Sequence, residues 1–213
     1  MEKQLWEIIS WMNKRNRRLI IGISGHGASG KTTFAQSLCK LLDPDNLNCL
    51  NTDTYIVESS LRRYTQIQYE YMGRQHQDKM TACHPAAHNV YTLERDIKML
   101  KDGLDLYSIG TSYSKSTLLS SAKEINIIEG MSVAFTDPKL YDLLIYFYTD
   151  GATEFARRSI RDVSERGMDL EYLKKSHDQR RIQYEVFMHP YHKNFDIVIR
   201  NSDEGYSVEK KLI

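Results

Sequence analysis

The chain has 213 residues, of which 41% are hydrophobic and 27% are charged. A chain of this length can bury one sizeable core without disulfides or structural metals. Its 29 basic and 28 acidic residues almost cancel, which excludes a broad electrostatic attraction to nucleic acid or to a membrane surface. Three cysteines without metal-type spacing predict reduced thiols and a cytoplasmic setting. No segment approaches the ~20 apolar residues of a membrane span, so we expect no membrane partner.

The first 18 residues predict an amphipathic helix rather than a signal peptide, because charges interrupt the apolar run that a signal peptide needs. Its apolar residues recur at helical spacing: Leu5, Ile8, Ile9 and Met12. Basic residues follow at its end, from Lys14 to Arg18, where cations complement the helix dipole. This pattern favours a solvated helix end over a nucleic-acid site.

A phosphate-binding motif, G-x-x-x-x-G-K-[ST], runs from Gly25 to Thr32. An apolar, strand-like run from Leu19 to Ile23 precedes it, and a helix-compatible run from Thr33 to Leu42 follows. Glycines let the backbone turn its N–H groups toward phosphates, Lys31 adds a charge, and the Thr32 hydroxyl suits Mg²⁺. The predicted nucleotide-binding residues are Gly25, His26, Gly27, Ala28, Ser29, Gly30, Lys31, Thr32 and Thr33.

Strand-like and helix-like runs alternate after this loop, which predicts an α/β fold with a parallel sheet and helices on both faces. The predicted strands are Leu47–Asn51, Ile125–Ile128, Leu143–Tyr148 and Phe195–Ile199. The predicted helices are Leu93–Leu100, Thr153–Ser164 and Asp169–Met188. The polar, tyrosine-rich region from about 55 to 90 has no clear period, and we interpret it as a substrate-facing insertion in a single domain.

Two carboxylates directly follow predicted strands, Asp53 after the second and Glu129 after the third. If these strands flank the loop strand, both side chains would point at the phosphates and Mg²⁺. A kinase needs one carboxylate to accept the proton of the attacking hydroxyl and another to hold Mg²⁺. The plain alternative is that each acid caps a turn or helix.

An arginine-rich segment forms a third constellation: Arg157, Arg158, Arg161 and Arg166. Arg158 and Arg161 are three residues apart on one helical face, and Gly167 can end or hinge the helix. Such a segment can neutralise charge on a transferring phosphoryl group and exclude water. Because Asp162 and Glu165 are interleaved, a solvated salt-bridged face is the alternative.

Taken in order, these motifs resemble the uridine kinase and phosphoribulokinase-like family. The resemblance covers about residues 19 to 200 and rests on the following pieces: the loop, Asn51-Thr-Asp-Thr-Tyr55, His84-Pro85, Ile128-Glu129-Gly130, Tyr148-Thr-Asp150, the block from Ala156 to Gly167, and Phe187 to Pro190 before Asp196–Ile199. It implies a three-layer P-loop NTPase fold with a five-stranded parallel sheet and an arginine-rich lid at about 155–168. It also implies an ATP- and Mg²⁺-dependent kinase that phosphorylates a hydroxyl of a small molecule.

The resemblance also implies roles for individual residues. Asp53 would be the general base, and Lys31, Arg161 and Arg166 would complete the catalytic set. Thr32, Glu129 and Asp53 would surround Mg²⁺, and Arg158 would contact the nucleotide. Tyr55, His84 and Arg161 would contact the acceptor, within a substrate-facing region that extends to about residue 115.

The acceptor side departs from the family pattern. Cys83 stands before His84 where uridine kinases usually have an aspartate that binds ribose hydroxyls. A thiol cannot accept hydrogen bonds from two hydroxyl groups as a carboxylate does. Ser108 and Ser112 occupy the segment that usually carries an aspartate and a base-reading histidine, and Met168 replaces a usual arginine. Uridine is therefore an open assignment, while the cationic stretch from Arg62 to His88 suits a phosphorylated or carboxylated acceptor.

Other classes fit the sequence less well. Neither the [NT]-K-x-D motif of GTPases nor the signature of transporter ATPases occurs. Cys83, His84, His88 and His76 lack the spacing of a zinc site. A non-catalytic ATP-binding regulator remains as the rival, although Asp53 would have no use in it. The oligomeric state is also open, and a homo-oligomer is compatible with the sequence.

Overall fold

The computed structural model describes residues 1–111, 114–164, 167 and 169–213. Its helices are α1 (Glu2–Asn13), α2 (Lys31–Lys40), α3 (Ser59–Arg62), α4 (Val90–Lys101), α5 (Gly151–Ser164) and α6 (Leu170–Gln183). Its strands are β1 (Leu19–Gly25), β2 (Leu47–Asn51), β3 (Gln66–Tyr71), β4 (Arg74–Lys79), β5 (Leu106–Tyr107), β6 (Leu118–Leu119), β7 (Ile125–Glu129), β8 (Leu143–Tyr148), β9 (Ile197–Ser202) and β10 (Gly205–Lys211). Among the described residues, no helix is long and apolar enough to cross a bilayer.

The central sheet has six strands in the order β10-β9-β8-β1-β7-β2. The five predicted strands all pair in parallel, which confirms the α/β fold with its mostly parallel sheet. The sixth strand, β10, pairs antiparallel with β9 at the edge and was not predicted. Its residues alternate between exposed and half-buried, so the segment lacks the apolar run that identifies the buried strands.

Helices cover both faces of this sheet and enclose two apolar cores. On one face, the expected helix α1 packs Leu5, Ile8, Ile9 and Met12 beside α2 and β1. The Arg17 guanidinium that follows α1 lies 2.6 Å from a carboxylate oxygen of Asp142. The other face is covered largely by α4 and by the chain around the single π-turn of 184–188 that ends α6.

Some element boundaries differ from the prediction. The last parallel strand begins at Ile197 rather than Phe195, because Phe195 is buried in the core and Asp196 bonds back to the β8 backbone. The predicted helix of 93–100 extends over Val90–Lys101. Helix α2 begins at Lys31 inside the phosphate-binding motif, two residues before the predicted start.

The region without clear periodicity contains a hairpin that the sequence did not predict. Strands β3 and β4 pair antiparallel along their whole length, from Gln66 opposite Lys79 to Tyr71 opposite Arg74. Met72 and Gly73 form its turn with φ angles of 51° and 72°. Two positive φ values suit a two-residue hairpin, but Met-Gly is not the usual Asn-Gly signature, and both strands are strongly polar.

Candidate active site

The phosphate-binding loop connects the end of β1 to the start of α2, and its glycines allow neighbouring groups to approach closely. At Gly25, with φ of 148°, a β-carbon would lie 2.1 Å from the Phe147 carbonyl oxygen. At Gly30, with φ of 93°, a β-carbon would lie 2.1 Å from the Asn201 amide nitrogen. Only glycine fits at these two positions. The backbone thus has the tight turn required to direct its N–H groups toward an anion.

The His26 side chain is buried beneath the loop instead of facing a ligand. Its Nε2 accepts a hydrogen bond from the Thr149 backbone N–H at 3.0 Å, so this nitrogen carries no proton. Its Nδ1 lies 2.9 Å from the Gly27 carbonyl oxygen and therefore donates to it. His26 ties the loop to the end of β8, and only its backbone can contribute to phosphate binding.

Glu154, in the first turn of α5, is a buried carboxylate at the centre of this support. Its oxygens lie 3.5 Å from His26 Nδ1, 3.4 Å from Arg158 Nη1 and 3.5 Å from Arg181 Nη1. Burial raises the pKa of Glu154, but the His26 hydrogen bond and the two arginine charges outweigh it and hold the pKa at about 2. The carboxylate is ionised at neutral pH and anchors α5 and α6 beneath the loop.

Asn201 and Arg157 hold the other side of the loop. The Asn201 amide nitrogen donates to the Ser29 carbonyl oxygen at 2.8 Å. Arg157 Nη1 donates to the carbonyl oxygens of Ala28 and Asn201, at 3.4 and 3.0 Å. These bonds fix the backbone carbonyls of the loop, which leaves its N–H groups oriented for a ligand.

Three predicted residues meet where α2 begins and β7 ends. The Thr32 hydroxyl donates to Glu129 Oε1 at 2.9 Å, and Lys31 Nζ lies 3.8 Å from the same oxygen. The Asn51 amide donates to Glu129 Oε2 at 3.2 Å. Burial raises the pKa of Glu129, as does the charge of Asp53, whereas Lys31 and Thr32 lower it.

Asp53 lies in a 3₁₀ turn, Thr52–Tyr55, directly after β2, and its side chain is exposed. The Asn51 side chain caps this turn by accepting from the Asp53 backbone N–H at 2.8 Å. The strand that precedes Glu129, β7, flanks β1 as expected. The strand that precedes Asp53, β2, does not, because β7 lies between β1 and β2. Asp53 is still close enough for its charge to raise the pKa of Glu129, since parallel strands end at one edge of the sheet.

The acids and hydroxyl of this corner suit Mg²⁺, a hard cation that prefers oxygen ligands. Thr32, Glu129 and Asp53 all offer oxygens. Among the described residues, no three His, Cys, Asp or Glu side chains form a metal-binding group. A cage of that kind is not needed, since Mg²⁺ usually combines one or two carboxylates with phosphate oxygens and water.

Of the predicted arginines, Arg158 lies against the loop and Arg161 lies farther along α5. Arg158 Nη1 is 3.9 Å from the point where a β-carbon on Gly27 would stand, and Arg158 also bonds to Asp162. Arg161 Nε donates to the buried Asp162 carboxylate at 2.8 Å, with a third of its side chain exposed. Arg166 lies outside the described residues, as do Ser112 and Met168.

Tyr55 does not reach the surface where an acceptor would bind. It is fully buried, and its hydroxyl donates to Asp96 at 2.6 Å. Burial and this hydrogen bond both raise the pKa of Tyr55. His84 is half-buried, caps the 3₁₀ turn of Pro85–Ala87 and packs against Phe187 with ring centroids 4.5 Å apart.

Cys83 is buried, and burial raises the pKa of its thiol to about 12. The charge of Glu154 also raises this pKa, whereas a hydrogen bond with Thr81 and the charges of Arg158 and Arg62 lower it. Ser108 uses its hydroxyl to accept from the Thr117 backbone N–H at 2.9 Å. Neither residue supplies the carboxylate that uridine kinases usually place here.

Arg62 is a half-buried cation on the acceptor side. It donates to the carbonyl oxygens of Val57 and Met80, at 2.7 and 3.3 Å, through Nε and Nη1. In the part of the chain that the structure describes, it has no ion pair, and its Nη2 makes no hydrogen bond. Burial lowers its pKa, which is the cost of holding an arginine here without a carboxylate.

Comparison with known proteins identifies the family. A profile of the Phosphoribulokinase / Uridine kinase family matches residues 20–205. The chain belongs to this family. It is 29% identical to a uridine kinase of Ligilactobacillus salivarius, over 91% of this chain and 90% of that protein. It is 28% identical to the chloroplastic phosphoribulokinase of Arabidopsis thaliana, but spans only 54% of the length of that enzyme.

Solved structures agree on the fold of this family member. A D-glycerate 3-kinase from Cryptococcus neoformans superposes with a TM-score of 0.61, at 10% identity, over 97% of this chain and 98% of that one. A phosphoribulokinase from Rhodobacter spheroides superposes with a TM-score of 0.57, at 19% identity, over 87% of this chain and 71% of that one. At these identities the likeness concerns the fold alone.

Sequence reasoning missed three site residues of this family member: Glu154, Asn201 and Asn51. Asn201 lies near the carboxyl end of β9, where ligand-facing residues of parallel sheets are expected. The predicted strand ended at Ile199, so the position of Asn201 just after a strand could have marked it as a site residue, but it was not used. Asn51 ends the predicted second strand and offered the same signal, whereas Glu154 gave none, because its role depends on partners distant in sequence.

Proposed function

We propose that this protein is an ATP- and Mg²⁺-dependent kinase that transfers the γ-phosphoryl group to a hydroxyl of a small molecule. The observation that carries the proposal is the cluster of Lys31, Thr32, Glu129 and Asn51 beside the exposed Asp53. Membership of a kinase family supports it. The proposed unit is one domain, 1–213, with a substrate-facing region at about 55–115 and a lid at about 155–168.

The loop backbone and Lys31 would bind the ATP phosphates, and Arg158 lies beside them. Thr32, Glu129 and Asp53 would hold Mg²⁺, which when bound screens the charge of the phosphate oxygens. Asp53 is exposed and follows β2, so it would accept the proton of the attacking hydroxyl. Arg161 and Arg166 would neutralise charge that develops during transfer.

Two observations favour an anionic acceptor, a phosphomonoester or carboxylate, over a nucleoside. Arg62 offers an unbonded Nη2 on the acceptor side, and Cys83 stands where a nucleoside kinase would place a carboxylate. A guanidinium forms its strongest hydrogen bonds with phosphate and carboxylate oxygens.

The test is MgATP turnover with a panel of acceptors: uridine, cytidine, pantothenate, glycerate and pentose phosphates. We expect at least one anionic member to raise turnover above the rate without acceptor. Uridine or cytidine as the best substrate would overturn the anionic preference but keep the kinase. If ATP binds and no acceptor raises turnover, the alternative of a non-catalytic ATP-binding regulator is favoured.

A further inference from the structure

Two cysteines meet beside the nucleotide site. Cys39 lies near the end of α2 and Cys49 in the middle of β2, and their sulfur atoms are 2.7 Å apart. Both line a cleft of about 570 Å³ between these elements, which also reaches Thr32 and Glu129. Because a disulfide bond is about 2.05 Å long, the sulfurs need to approach by only about 0.7 Å to form one.

The two thiols are accessible and chemically unequal. Cys49 is exposed and Cys39 is half-buried. The hydrogen bond from Cys39 and the charge of Lys123 lower the pKa of Cys49, whereas that hydrogen bond and burial raise the pKa of Cys39. Lys123 is held in place by the carbonyl oxygens of Pro44 and Leu47, at 2.8 and 3.1 Å. Cys49 is therefore the better nucleophile, and Cys39 is placed to resolve an adduct on it.

The third cysteine provides an internal control. Cys83 is buried, and the raised pKa of its thiol keeps it protonated at neutral pH. A protonated, inaccessible thiol reacts slowly with disulfide reagents. Selective chemistry at Cys39 and Cys49 can thus be distinguished from general oxidation.

We propose that Cys39 and Cys49 form a reversible disulfide by exchange with low-molecular-weight disulfides, and that this bond clamps α2 to β2. The Cys49 thiolate attacks one sulfur of the reagent, forming a mixed disulfide and releasing one reagent thiolate. Cys39 then loses its proton to solvent and attacks the Cys49 sulfur, which releases the second reagent thiolate. Two protein thiols are oxidised and one reagent disulfide is reduced to two thiols.

The clamp joins elements that carry the nucleotide site. Helix α2 begins with Lys31 and Thr32, while β2 ends at Asn51, which donates to Glu129. The disulfide would close a short loop, which contains only the residues from Cys39 to Cys49. Because a cross-link restricts the unfolded chain, the oxidised protein should melt at a higher temperature.

The experiment treats the full chain with oxidised glutathione at pH 8 and follows intact mass and free thiols. We expect the wild-type protein to lose two hydrogens in mass and two of its three thiols, with Cys83 retained. C39S should accumulate a glutathione adduct on Cys49, because its resolving thiol is absent. C49S should react at least about tenfold more slowly. Adducts without a bridge in the wild type, or no reaction, would overturn the proposal.

Melting curves test the clamp separately from its chemistry. We expect Tm to rise by roughly 5 °C on oxidation of the wild type and to return with dithiothreitol, as for an 11-residue loop. C39S under the same oxidant should show no rise. A bridged protein with unchanged Tm would refute the clamp. Alkylation rates of the unmodified wild type, with Cys49 fastest, test the order of reactivity without any variant.

Discussion

Around the phosphate-binding loop, polar side chains from β9 and from α5 and α6 bond to one another and to the loop backbone. The region from 55 to 115 packs α4 into the core, but it also carries the polar β3–β4 hairpin, whose tip residue Met72 is 83% exposed. Side-chain bonds tie this region to the rest of the molecule away from the hairpin tip, among them those of Gln183 with Thr81 and of His88 with Ser132.

The two regions differ in how specificity would arise, for the nucleotide in the first and for the acceptor in the second. Nucleotide binding depends on a backbone that the core of the fold fixes from several directions, so its motif is readable in any member of the fold. If the region from 55 to 115 faces the acceptor, as proposed, acceptor choice would depend on surface elements that can change without disturbing that core. The motifs of the first region therefore match the family, while Cys83 and Ser108 of the second do not.

The largest effect on activity is expected at Asp53, between the phosphate-binding loop and the region from 55 to 115. Asp53→Asn should lower turnover by at least about 10²-fold, or about 2.7 kcal/mol, because the amide cannot accept the hydroxyl proton. ATP affinity should change little, since Lys31 and the loop are untouched. Initial rates and ATP titrations measure both. Asp45→Asn, an exposed acid that precedes β2 at the end opposite to Asp53, is the matched control. Equal turnover in both variants would remove Asp53 as the base.

On the nucleotide side, Glu154→Gln should cost stability on the order of 3 kcal/mol at neutral pH, because it removes the buried carboxylate that pairs with both Arg158 and Arg181. Because the folded pKa of about 2 lies below the usual 4.5, the unfolded state binds the proton first as pH falls. Stability from Glu154 is thus full above about pH 4.5 and lost toward pH 2. Urea unfolding across this range should show a flatter profile for the variant.

In the region from 55 to 115, the contribution of His88 to stability should also be lost as pH falls, but in a higher pH range than that of Glu154. Its Nδ1 lies 2.8 Å from the Ser132 hydroxyl and its Nε2 lies 2.8 Å from the Ala82 carbonyl oxygen. Burial, with the charges of Arg62 and His84, lowers its pKa from 6.5 to about 4, although the Ala82 bond raises it. The unfolded chain therefore binds the proton first, and about 3 kcal/mol is lost as pH falls from 6.5 toward 4.

The His88→Asn variant checks this assignment. Its stability at pH 7 should be lower than that of the wild type, but its profile between pH 6.5 and 4 should be flatter. If the wild-type profile is already flat over this range, His88 is not a buried neutral side chain. Comparison with the profile of Glu154→Gln shows whether falling pH destabilises the surroundings of His88 before it destabilises the support of the phosphate-binding loop.

The same contrast explains how much the sequence could predict. All five parallel strands were found, and the signal is strongest in β8, whose apolar run is continuous because both faces of the sheet are covered, and weaker in the edge strand β2, which is half polar. The β3–β4 hairpin and β10 have polar, half-exposed residues, and their pairing partners decide their structure. Lys31, Thr32 and Glu129 meet as predicted. The role of Glu154 arises from contacts between elements distant along the chain, which no local pattern records.

Arg62→Ala tests the proposed role of Arg62 in binding an anionic acceptor. We expect the KM of an anionic acceptor to rise about tenfold, equivalent to about 1.4 kcal/mol, while the KM of ATP stays unchanged. Arg62→Lys keeps the charge but not the geometry of the bonds to Val57 and Met80, and should recover part of the loss. An uncharged acceptor of similar shape is the control. Equal losses for both acceptors would mean that Arg62 only holds the backbone.

The smallest effect is expected at Asn201, and it tests whether the loop is over-determined. Asn201→Ala removes the bond to the Ser29 carbonyl oxygen and the longer, 3.4 Å bond from Arg157 Nη2, while the Arg157 bond to Ala28 remains. A single hydrogen bond contributes about 1 kcal/mol, so ATP affinity should fall only about fivefold, with turnover at saturating ATP unchanged. The double variant with Arg157→Ala should lose more than the two single variants combined, because each support compensates for loss of the other. Additive losses would mean that the loop holds its shape through its own glycines, independently of the side chains around it.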